Sequence, residues 1–538
     1  MSINNVNLQV TKMKQAASVI FRTVVILLAG ITIGLLINNQ GFMARQVAGN
    51  HKIDSALLII NRHYVDSVGN DTLETNAIGS ILQELDPHSV YLPRQQAQSV
   101  NERLEGRFNG IGIEYVLLRD TMFISQVYPG SPAYKAGIVN GDRVITINYK
   151  KSSGAKLGTD SINHLIRSTA GNKVEMSVRH LLSNNINRYM LMRGHVPLSS
   201  LDAAYPLTPL AGYIKLSKFA TTTDSDFRAS LRDLQKKGVK KLIVDLRGNR
   251  GGYLDAATAL ADEFLVKDQL IVYTQGAHEQ RVNYYSSNSG LFQEGKVAVL
   301  IDEYSASASE IVAGALQDLD RAVIVGRRSY GKGLVQQQFP FADGSALNLT
   351  VARYYTPSGR SIQKSYKNGV DDYRKEISDR QQKGELRYAQ NNMMDTAFKS
   401  HAYYTHDGRK VYGGGGIMPD VFVPEDTTAN VRLIGELADA QLFTAYVIDK
   451  LHPYLAKQIS REDFINKFSV TDNQLDDFIM YASKTIREMD SREIRLARPH
   501  LKQYIKAFAA RFKWGDDAYF EVINQDDSGI KKALTAIN

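Results

Sequence analysis

Three short apolar runs, each followed by a polar loop, stand out in the middle of the chain. The runs cover residues 242–246, 297–301 and 322–325, and helical patterns cover residues 255–265 and 310–319. Continuous apolar runs of about 4–8 residues predict buried strands, whereas one apolar stripe predicts a helix. Strand, helix and strand in this order form βαβ units with parallel strands. The loops after the strands therefore meet at one sheet edge, where open α/β sheets place their sites.

Two of these loops carry a candidate nucleophile and a candidate base. Ser307 lies in the run Ser305-Ala-Ser-Ala-Ser-Glu310, and Lys332 lies in Gly331-Lys-Gly-Leu-Val-Gln336. A serine hydroxyl is a weak nucleophile at neutral pH and needs a neighbouring base. A lysine serves as that base if a dry pocket lowers its pKa. The third loop, residues 247–252, is rich in glycine, which leaves backbone N–H groups open to a developing oxyanion.

Each candidate residue also has an ordinary structural interpretation. A serine before a helix usually caps it or bonds to a loop, and we favour that role for Ser305 and Ser309. A lysine between glycines is more often solvated, and Gln336 also fits a polar strand. Asp318 falls on the predicted solvated side of its helix, which favours a role at the helix end at least as much as a site role.

Other catalytic motifs are incomplete. Residues 326–332 nearly form a phosphate-binding loop, but Gly333 stands where the magnesium-binding Ser or Thr is needed. The following run predicts a hairpin closing at Asp343-Gly344. His278 begins like a zinc-binding helix, but Val282 replaces the second histidine. There is no G-x-S-x-G motif, no cofactor or metal is predicted, and the eleven histidines leave a Ser/His/Asp triad formally open.

At this point the chain resembles the carboxyl-terminal processing peptidases, also called tail-specific proteases. The matching blocks, in the order found in that family, are residues 85–92, 245–252, 305–318, 331–336, 355–363 and 413–420. The resemblance implies a serine endopeptidase that cleaves proteins recognised by their carboxyl-terminal tails. It also implies that an inserted PDZ domain gates the cleft.

Residues 105–195 look like that PDZ domain. The resemblance rests on residues 108–113, 127–133, 136–148 and 165–171. In such modules a peptide adds as a strand beside a glycine loop whose N–H groups capture the terminal carboxylate. The donors expected here belong to Gly110, Ile111, Gly112 and Ile113. The alternative is that the two glycines only permit a tight turn, and Arg167 is a candidate for sensing PDZ occupancy.

The family resemblance assigns roles in the peptidase site. It implies Ser307 as the nucleophile, Lys332 as the base and Gln336 as the residue that orients the lysine. It further implies an oxyanion hole formed by the N–H of Ala308 and that of Gly251 or Gly252. The sequence does not separate the two glycines.

One apolar segment, residues 19–37, is long enough to act at a membrane. Its strongest part, Val24 to Ile37, is short of the ~20 residues of a usual span. Basic residues precede it, so the amino terminus is expected to stay in the cytoplasm. The segment is a signal anchor or a cleaved signal peptide, and the weak cleavage site at residues 47–49 favours the anchor. A buried core helix is a third alternative.

We therefore expect an α/β (α+β) multidomain protein. The expected parts are a cytoplasmic tail (1–18), a transmembrane signal anchor (19–37), an N-terminal helical segment (45–104), the PDZ domain (105–195), the peptidase core with βαβ units (196–430) and a C-terminal helical domain (431–538). Within the core, the polar residues 364–404 predict a surface insertion. In the last part, Phe443, Val447 and Leu451 recur at helical spacing.

Composition is consistent with an enzyme outside the cytoplasm. The 538 residues contain no cysteine, which excludes disulfides and suits an oxidising compartment, and the net charge of +9 includes no long basic block. Nucleic acid is not an expected partner. We expect the bacterial inner membrane, with the catalytic portion in the periplasm, or secretion to the periplasm if the signal is cleaved.

The sequence favours a membrane-anchored serine endopeptidase with a Ser-Lys dyad. Its expected partners are proteins with exposed carboxyl-terminal tails, and its C-terminal region is a candidate site for an adaptor protein or a second copy of the chain. The alternative function is a catalytically silent PDZ-containing adaptor that binds tails without cleavage.

Overall fold

The computed structural model describes residues 52–154, 157–167, 171–180, 185–389, 402–426, 431–457, 460–486 and 488–538. The chain divides into two compact units, residues 1–84 and 85–538. In the first unit, the described residues form helices α1 (Lys52–His63) and α2 (Asn70–Gln83). None of the helices in the described ranges is long and apolar enough to cross a membrane. The predicted anchor, residues 19–37, lies outside them.

The second unit begins with a strand and a helix that lead into the PDZ region. Strand β1 (Val90–Leu92) is followed by helix α3 (Arg94–Glu105) and strand β2 (Arg107–Gly110). Gly106 ends α3 in the left-handed conformation, with φ +68°, which glycine adopts without strain. Helix α3 is thus joined to strand β2, where the PDZ region begins, by a single residue.

The PDZ region is a small antiparallel sheet with two helices. Its elements are β3 (Ile113–Leu118), β4 (Thr121–Val127), α4 (Pro132–Lys135), β5 (Arg143–Ile147), β6 (Lys150–Lys151), α5 (Thr159–Arg167), β7 (Lys173–Arg179), β8 (Ile186–Met192) and β9 (Gly194–Pro197). The main sheet has the order β3-β4-β5-β7-β8, and β9 pairs with β2 outside it. Strand β3 is therefore an edge strand of the described sheet.

The peptidase region contains three further sheets, of which one is a two-stranded pair. Its elements are β10 (Leu201–Pro206), β11 (Ala211–Leu216), α6 (Thr223–Lys236), β12 (Lys241–Asp245), α7 (Leu254–Asp262), β13 (Leu270–Gln275), β14 (Val282–Tyr285), β15 (Lys296–Ile301), α8 (Ala308–Asp318), β16 (Val323–Gly326), β17 (Leu334–Pro340), β18 (Ala346–Tyr355), α9 (Val370–Gln382), β19 (Ala402–Tyr404), β20 (Lys410–Tyr412) and β21 (Val421–Phe422). The two-stranded sheet is the pair β19-β20. The core sheet has the order β10-β11-β12-β15-β16-β21, and all its pairs after β10-β11 are parallel. The predicted βαβ units and the hairpin between β17 and β18 are confirmed.

Apolar side chains on both faces of the core sheet explain its continuous hydrophobic strands. One face packs against α6, α7 and α8. The other face packs against the end of the chain, through residues such as Ile530 and Ala533. The last helix of the C-terminal region therefore completes the peptidase core.

The C-terminal region is helical, as predicted. Its helices are α10 (Val431–Asp439), α11 (Leu442–Tyr446), α12 (His452–Leu455), α13 (Arg461–Lys467), α14 (Asp472–Ala482), α15 (Ser491–Trp514), α16 (Asp516–Ile523) and α17 (Ser528–Ala536), with a π-helical turn at Val447–Leu451 and a 3₁₀ turn at Asn524–Asp526. The predicted stripe of Phe443, Val447 and Leu451 is buried in its core.

Two expectations for the peptidase region are wrong. Asp318 is buried and forms an ion pair with the fully buried Arg360 at 2.7 Å, so it does not lie on a solvated side. The segment after residue 364 is not only a surface insertion, because Tyr373 and Arg380 of α9 are each 3% exposed. Polar side chains that pair with each other in the interior were not distinguishable from solvated ones by pattern alone.

Candidate active site

Ser307 lies at the start of α8, just beyond the carboxyl end of β15. Its φ of +55° and ψ of −114° place it in a strained region, which costs a non-glycine residue about 1–3 kcal/mol. A Cβ at Gly251 would lie only 2.8 Å from Ser307 Cβ, so this position needs glycine. The hydroxyls of Ser305 and Ser309 each donate to a carbonyl in the loop after β12, as predicted. Of the three serines, Ser307 is the one that lines the cleft.

The buried carboxylate of Glu310 connects the serine loop to the lysine loop. It accepts hydrogen bonds from the N–H groups of Ser307 (2.9 Å), Gly331 (2.7 Å) and Lys332 (2.9 Å) and from the hydroxyl of Ser329 (2.5 Å). The N–H groups of Ser307 and Lys332 meet on the same oxygen, Oε2. Burial raises the pKa of Glu310, and the hydrogen bonds oppose this rise. One side chain thus fixes two backbone segments that are distant in sequence.

Lys332 is half-buried in the same cleft as Ser307. Burial lowers its pKa from 10.5 to about 8, although the charges of Glu310 and Asp86 act in the opposite direction. A lysine with this pKa is neutral often enough near pH 8 to accept a proton. Within the described structure, no hydrogen bond joins Lys332 Nζ to Ser307 Oγ.

Gln336 contacts the lysine side chain. Lys332 Nζ donates to Gln336 Oε1 at 2.7 Å. The pairing of β17 with β18 is irregular between Val335 and Gln336, and such a bulge re-aims a side chain. The amide nitrogen of Gln336 is buried and has no hydrogen-bond acceptor among the described residues. Among the described residues, Lys332 is therefore the one side-chain hydrogen-bond partner of the Gln336 amide.

Three further residues shape the lysine environment, and sequence reasoning gave them no role. The fully buried Tyr354 hydroxyl lies 3.0 Å from the carbonyl oxygen of Ser307 and 2.7 Å from that of Lys332. Asp86 accepts hydrogen bonds from two backbone N–H groups and two hydroxyls. Burial and Lys332 lower the pKa of His88 to about 4. The only sequence signal for Asp86 and His88 was their place in the family block at residues 85–92.

The backbone N–H groups near Ser307 differ in their availability. The N–H of Gly251 donates to Asn249 Oδ1 at 2.9 Å. The N–H groups of Gly252 and Ala308 have no acceptor in the described part of the chain, and both residues line the cleft. Of the two candidate glycines, Gly252 is thus the one whose N–H has no acceptor among the described residues.

The cleft around these groups has a volume of about 460 Å³. Its walls come from the loop after β12, from β17 and β18, and from helix α3, which contributes Val100, Asn101, Arg103 and Leu104. Thr221, in the peptidase region, donates through its N–H to the carbonyl of Leu104 at 3.0 Å. Helix α3 thus contacts the cleft at its carboxyl end, one residue before the PDZ region begins.

The predicted carboxylate loop lies between β2 and β3. Ala133 and Tyr128 donate their N–H groups to the carbonyls of Ile111 and Gly112 at 2.9 and 3.0 Å. The N–H groups of Ile111 and Gly112 have no acceptor among the described residues. Gly112 has φ +81° and a Cβ there would overlap Ser131, so glycine is required.

Gly110 and Ile113, the other predicted donors, end β2 and begin β3. Arg167 is exposed at the last position of α5, and its carbonyl accepts a hydrogen bond from Arg193. It is not among the residues that line the peptidase cleft.

Comparison with known proteins places this site among the proteases. Residues 211–372 match the model of peptidase family S41, residues 123–180 match a PDZ domain model, and residues 433–515 match a family of unknown function, DUF8443. The chain is 34% identical to the carboxy-terminal processing protease CtpB of Bacillus subtilis over 60% of this chain and 66% of that protein, just under two thirds. It is 36% identical to the carboxy-terminal-processing protease of Bartonella bacilliformis over 56% of this chain and 70% of that protein. Among solved structures, the photosystem II D1 C-terminal processing protease shows 27% identity, covers 57% of this chain and 89% of that one, and gives a TM-score of 0.31.

Proposed function

Because this chain belongs to peptidase family S41, the carboxy-terminal processing serine proteases, we propose that Ser307 and Lys332 form its catalytic dyad and hydrolyse peptide bonds in protein tails. The observation that carries the proposal is the lowered pKa of Lys332, about 8, in the cleft that Ser307 lines. A base with such a pKa functions near neutral pH without a histidine.

Neutral Lys332 removes the proton from the Ser307 hydroxyl as its oxygen attacks the substrate carbonyl. The resulting ammonium then protonates the leaving amine, which leaves an acyl-enzyme on Ser307. A water molecule that gives its proton to the same lysine releases the second product. Gln336 orients the amine throughout, because its Oε1 accepts a hydrogen bond from Lys332 Nζ at 2.7 Å.

The N–H groups of Gly252 and Ala308 stabilise the developing oxyanion. Support comes from their position in the cleft that Ser307 lines and from their lack of acceptors within the described chain. Preorganised donors of this type act on charge that appears only in the transition state. Gly251 is left with a packing role, since its N–H already donates to Asn249.

A substrate tail reaches this site after its carboxyl terminus binds the PDZ region. The free N–H groups of Ile111 and Gly112 are suited to a carboxylate, and β3 offers an open edge for an added strand. Occupancy is transmitted through α3, which links the carboxylate loop to the cleft wall. The missing hydrogen bond between Ser307 and Lys332 is consistent with a dyad that closes on substrate binding.

A cleavage assay tests the dyad. The full chain is incubated with an unfolded protein that has an apolar carboxyl terminus, and fragments are identified by mass spectrometry. We expect cleavage by the parent chain and none by Ser307→Ala or Lys332→Ala. The control is Ser225→Ala, since this exposed hydroxyl bonds only within its own helix turn. Full cleavage by Lys332→Ala would exclude lysine as the base.

We also propose that residues 19–37 anchor the protein in the bacterial inner membrane, with the catalytic portion in the periplasm. The support is the apolar run in the sequence and the basic residues before it. We expect to find the full chain in the membrane fraction. We also expect protease added to spheroplasts to digest it. Recovery of the intact full-length chain in the soluble fraction would contradict anchoring.

A further inference from the structure

The edge strand of the PDZ sheet is buried on both faces, by two different parts of the chain. Ile113, Tyr115 and Leu117 pack against the PDZ core. The alternate residues Val116 and Leu118 pack instead in a separate apolar cluster with Ala445 and Ile448 of the C-terminal helical region. Because successive strand residues point to opposite faces, β3 lies between the PDZ core and the helical region.

Polar contacts fix the helical region to the PDZ sheet. Arg119, just after β3, forms an ion pair with Asp449 at 2.6 Å, and the Tyr481 hydroxyl donates to the same carboxylate at 2.9 Å. In the loop before β5, Asn140 donates to the carbonyl of Phe512 at 2.9 Å. Contacts at separate points of the PDZ region favour one fixed arrangement over a loose tether.

A groove of about 830 Å³ runs along the open edge of β3. One wall is α5, where Thr159 and Asn163 line the groove and accept hydrogen bonds from the Tyr115 hydroxyl. The opposite wall belongs to the helical region and includes the exposed residues Lys484 and Thr485. The unpaired backbone groups of an edge strand can pair with an extended peptide, so the groove, with walls from two regions, is suited to one.

The charges of the groove identify the kind of peptide it accepts. Arg119 and Asp449 neutralise each other, and Glu114 accepts a hydrogen bond from the Tyr128 hydroxyl at 2.5 Å. Lys484 has no ion-pair partner in the described residues. Lys484 follows Tyr481 by three residues, and Tyr481 contacts the same Asp449 carboxylate as Arg119. Lys484 therefore lies near the Arg119 end of β3, and the carboxylate loop lies at the other end of the strand. A positive charge is therefore available to the upstream part of a bound tail.

We propose that this groove binds the last six or so residues of a substrate's carboxyl-terminal tail, and that Lys484 selects an acidic residue about five positions before the carboxylate. A strand of six residues is ~20 Å long, and a tail added antiparallel to β3 runs from the Arg119 end towards the carboxylate loop, where its carboxyl terminus lies. The helical region then reads the tail together with the PDZ domain. This inference rests on the proposed tail-binding function but not on cleavage by Ser307.

The absence of cysteine from the chain allows a direct test. In the Ser307→Ala chain, Thr485→Cys places one thiol on the helical wall. The probe is a fluorescent eight-residue peptide with an apolar carboxyl-terminal residue and a pyridyl-disulfide cysteine at the fifth position from its end. Attack by the Thr485→Cys thiolate forms a protein–peptide disulfide and releases pyridine-2-thione, whose absorbance gives the rate. Lys151→Cys, an exposed site on β6, is the matched control.

We expect the peptide to label Thr485→Cys at least tenfold faster than it labels Lys151→Cys. It should also label Thr485→Cys at least tenfold faster than a peptide whose carboxyl terminus is amidated. Lys484→Glu should weaken binding of a peptide with Asp at the fifth position about two- to fivefold, the range of an exposed ion pair. It should leave a peptide with Asn there unchanged, and Lys151→Glu should change neither.

Three results would overturn the inference. The first is peptide binding by fluorescence anisotropy with equal labelling of the two cysteines, which would place the tail elsewhere. The second is no binding at all, which leaves cleavage by Ser307 to be judged from its own assay. The third is a dimer that Lys484→Glu dissociates, which would make a second copy the occupant of the groove.

Discussion

The pH dependence of cleavage measures the base directly. With a pKa of about 8 for Lys332, the neutral fraction is about 9% at pH 7 and about 91% at pH 9. The rate constant kcat/KM should therefore rise about tenfold between these pH values and level off above them. A lysine at its ordinary pKa of 10.5 would give a rise of about 100-fold with no plateau. The two cases differ in slope as well as in midpoint.

Asp86→Asn should move the midpoint to lower pH. The charge of Asp86 raises the pKa of Lys332, so its removal leaves more of the lysine neutral at pH 7. The side-chain oxygen of asparagine can still accept the hydrogen bonds that the N–H groups of His88 and Ser89 now donate to Asp86. Relative to its own plateau, the variant should be more active than the parent at pH 7.

The assay is kcat/KM for a quenched-fluorescence tail peptide from pH 6 to 10. Asp343→Asn is the control. Like Asp86, Asp343 accepts hydrogen bonds from the N–H and the hydroxyl of a nearby serine, here Ser345, but it lies in the exposed hairpin turn. A midpoint near 6.5 would indicate a histidine base and refute the assignment. His88 does not produce such a midpoint, since its pKa is lowered to about 4. Equal shifts in Asp86→Asn and Asp343→Asn would refute the role given to Asp86.

Three further predictions concern the same cleft. Gln336→Glu should raise the pH midpoint, because a carboxylate favours the ammonium form of Lys332; Gln338→Glu on the same strand tests whether any added charge does so. Lys332→Met should abolish cleavage yet stabilise the fold at pH 7 by about 1–2 kcal/mol after allowance for partial exposure. Because the folded-state pKa lies below the unfolded one, the parent gains stability from about pH 8 to 10.5, so urea melts of the two chains should converge there. Tyr354→Phe should lower kcat with little change in KM, since the carbonyls of Ser307 and Lys332 lose a shared donor, at a stability loss of about 1–3 kcal/mol; an unchanged kcat would contradict the role of Tyr354.

The sequence was sufficient for the parts of the site that depend on topology. Buried strand runs and one intervening helix bring Ser307 and Lys332 to the same sheet edge, whatever the side chains do afterwards. The hydrogen bond from Lys332 to Gln336 came from family resemblance, because it depends on an irregular register that spacing does not reveal. Our proposal of Gly252 over Gly251 as an oxyanion donor rests on the hydrogen bond that the Gly251 N–H donates to Asn249.

Polar contacts between residues distant in the chain could not be predicted from the sequence. A helical projection places Asp318 on the solvated side of its helix, because the sequence does not reveal that it pairs with the buried Arg360. Arg247, in the glycine loop, pairs with Asp527 near the end of the chain at 2.8 Å. That contact joins the C-terminal region to the peptidase core, which periodicity within either segment does not predict.

The backbones of Ser307 and Lys332, the proposed nucleophile and base, are tied together through their N–H and carbonyl groups. Glu310 Oε2 accepts from the N–H of Ser307 and from that of Lys332, and the Tyr354 hydroxyl contacts the carbonyl oxygens of the same two residues. Because both tying side chains are buried, separating the two backbones would leave several polar groups unpaired, at about 1–3 kcal/mol each. The activation by a bound tail that we propose therefore has to act on parts that these contacts leave free. Those parts are the Lys332 amine, the Gln336 bulge, the glycine loop and the α3 wall of the cleft.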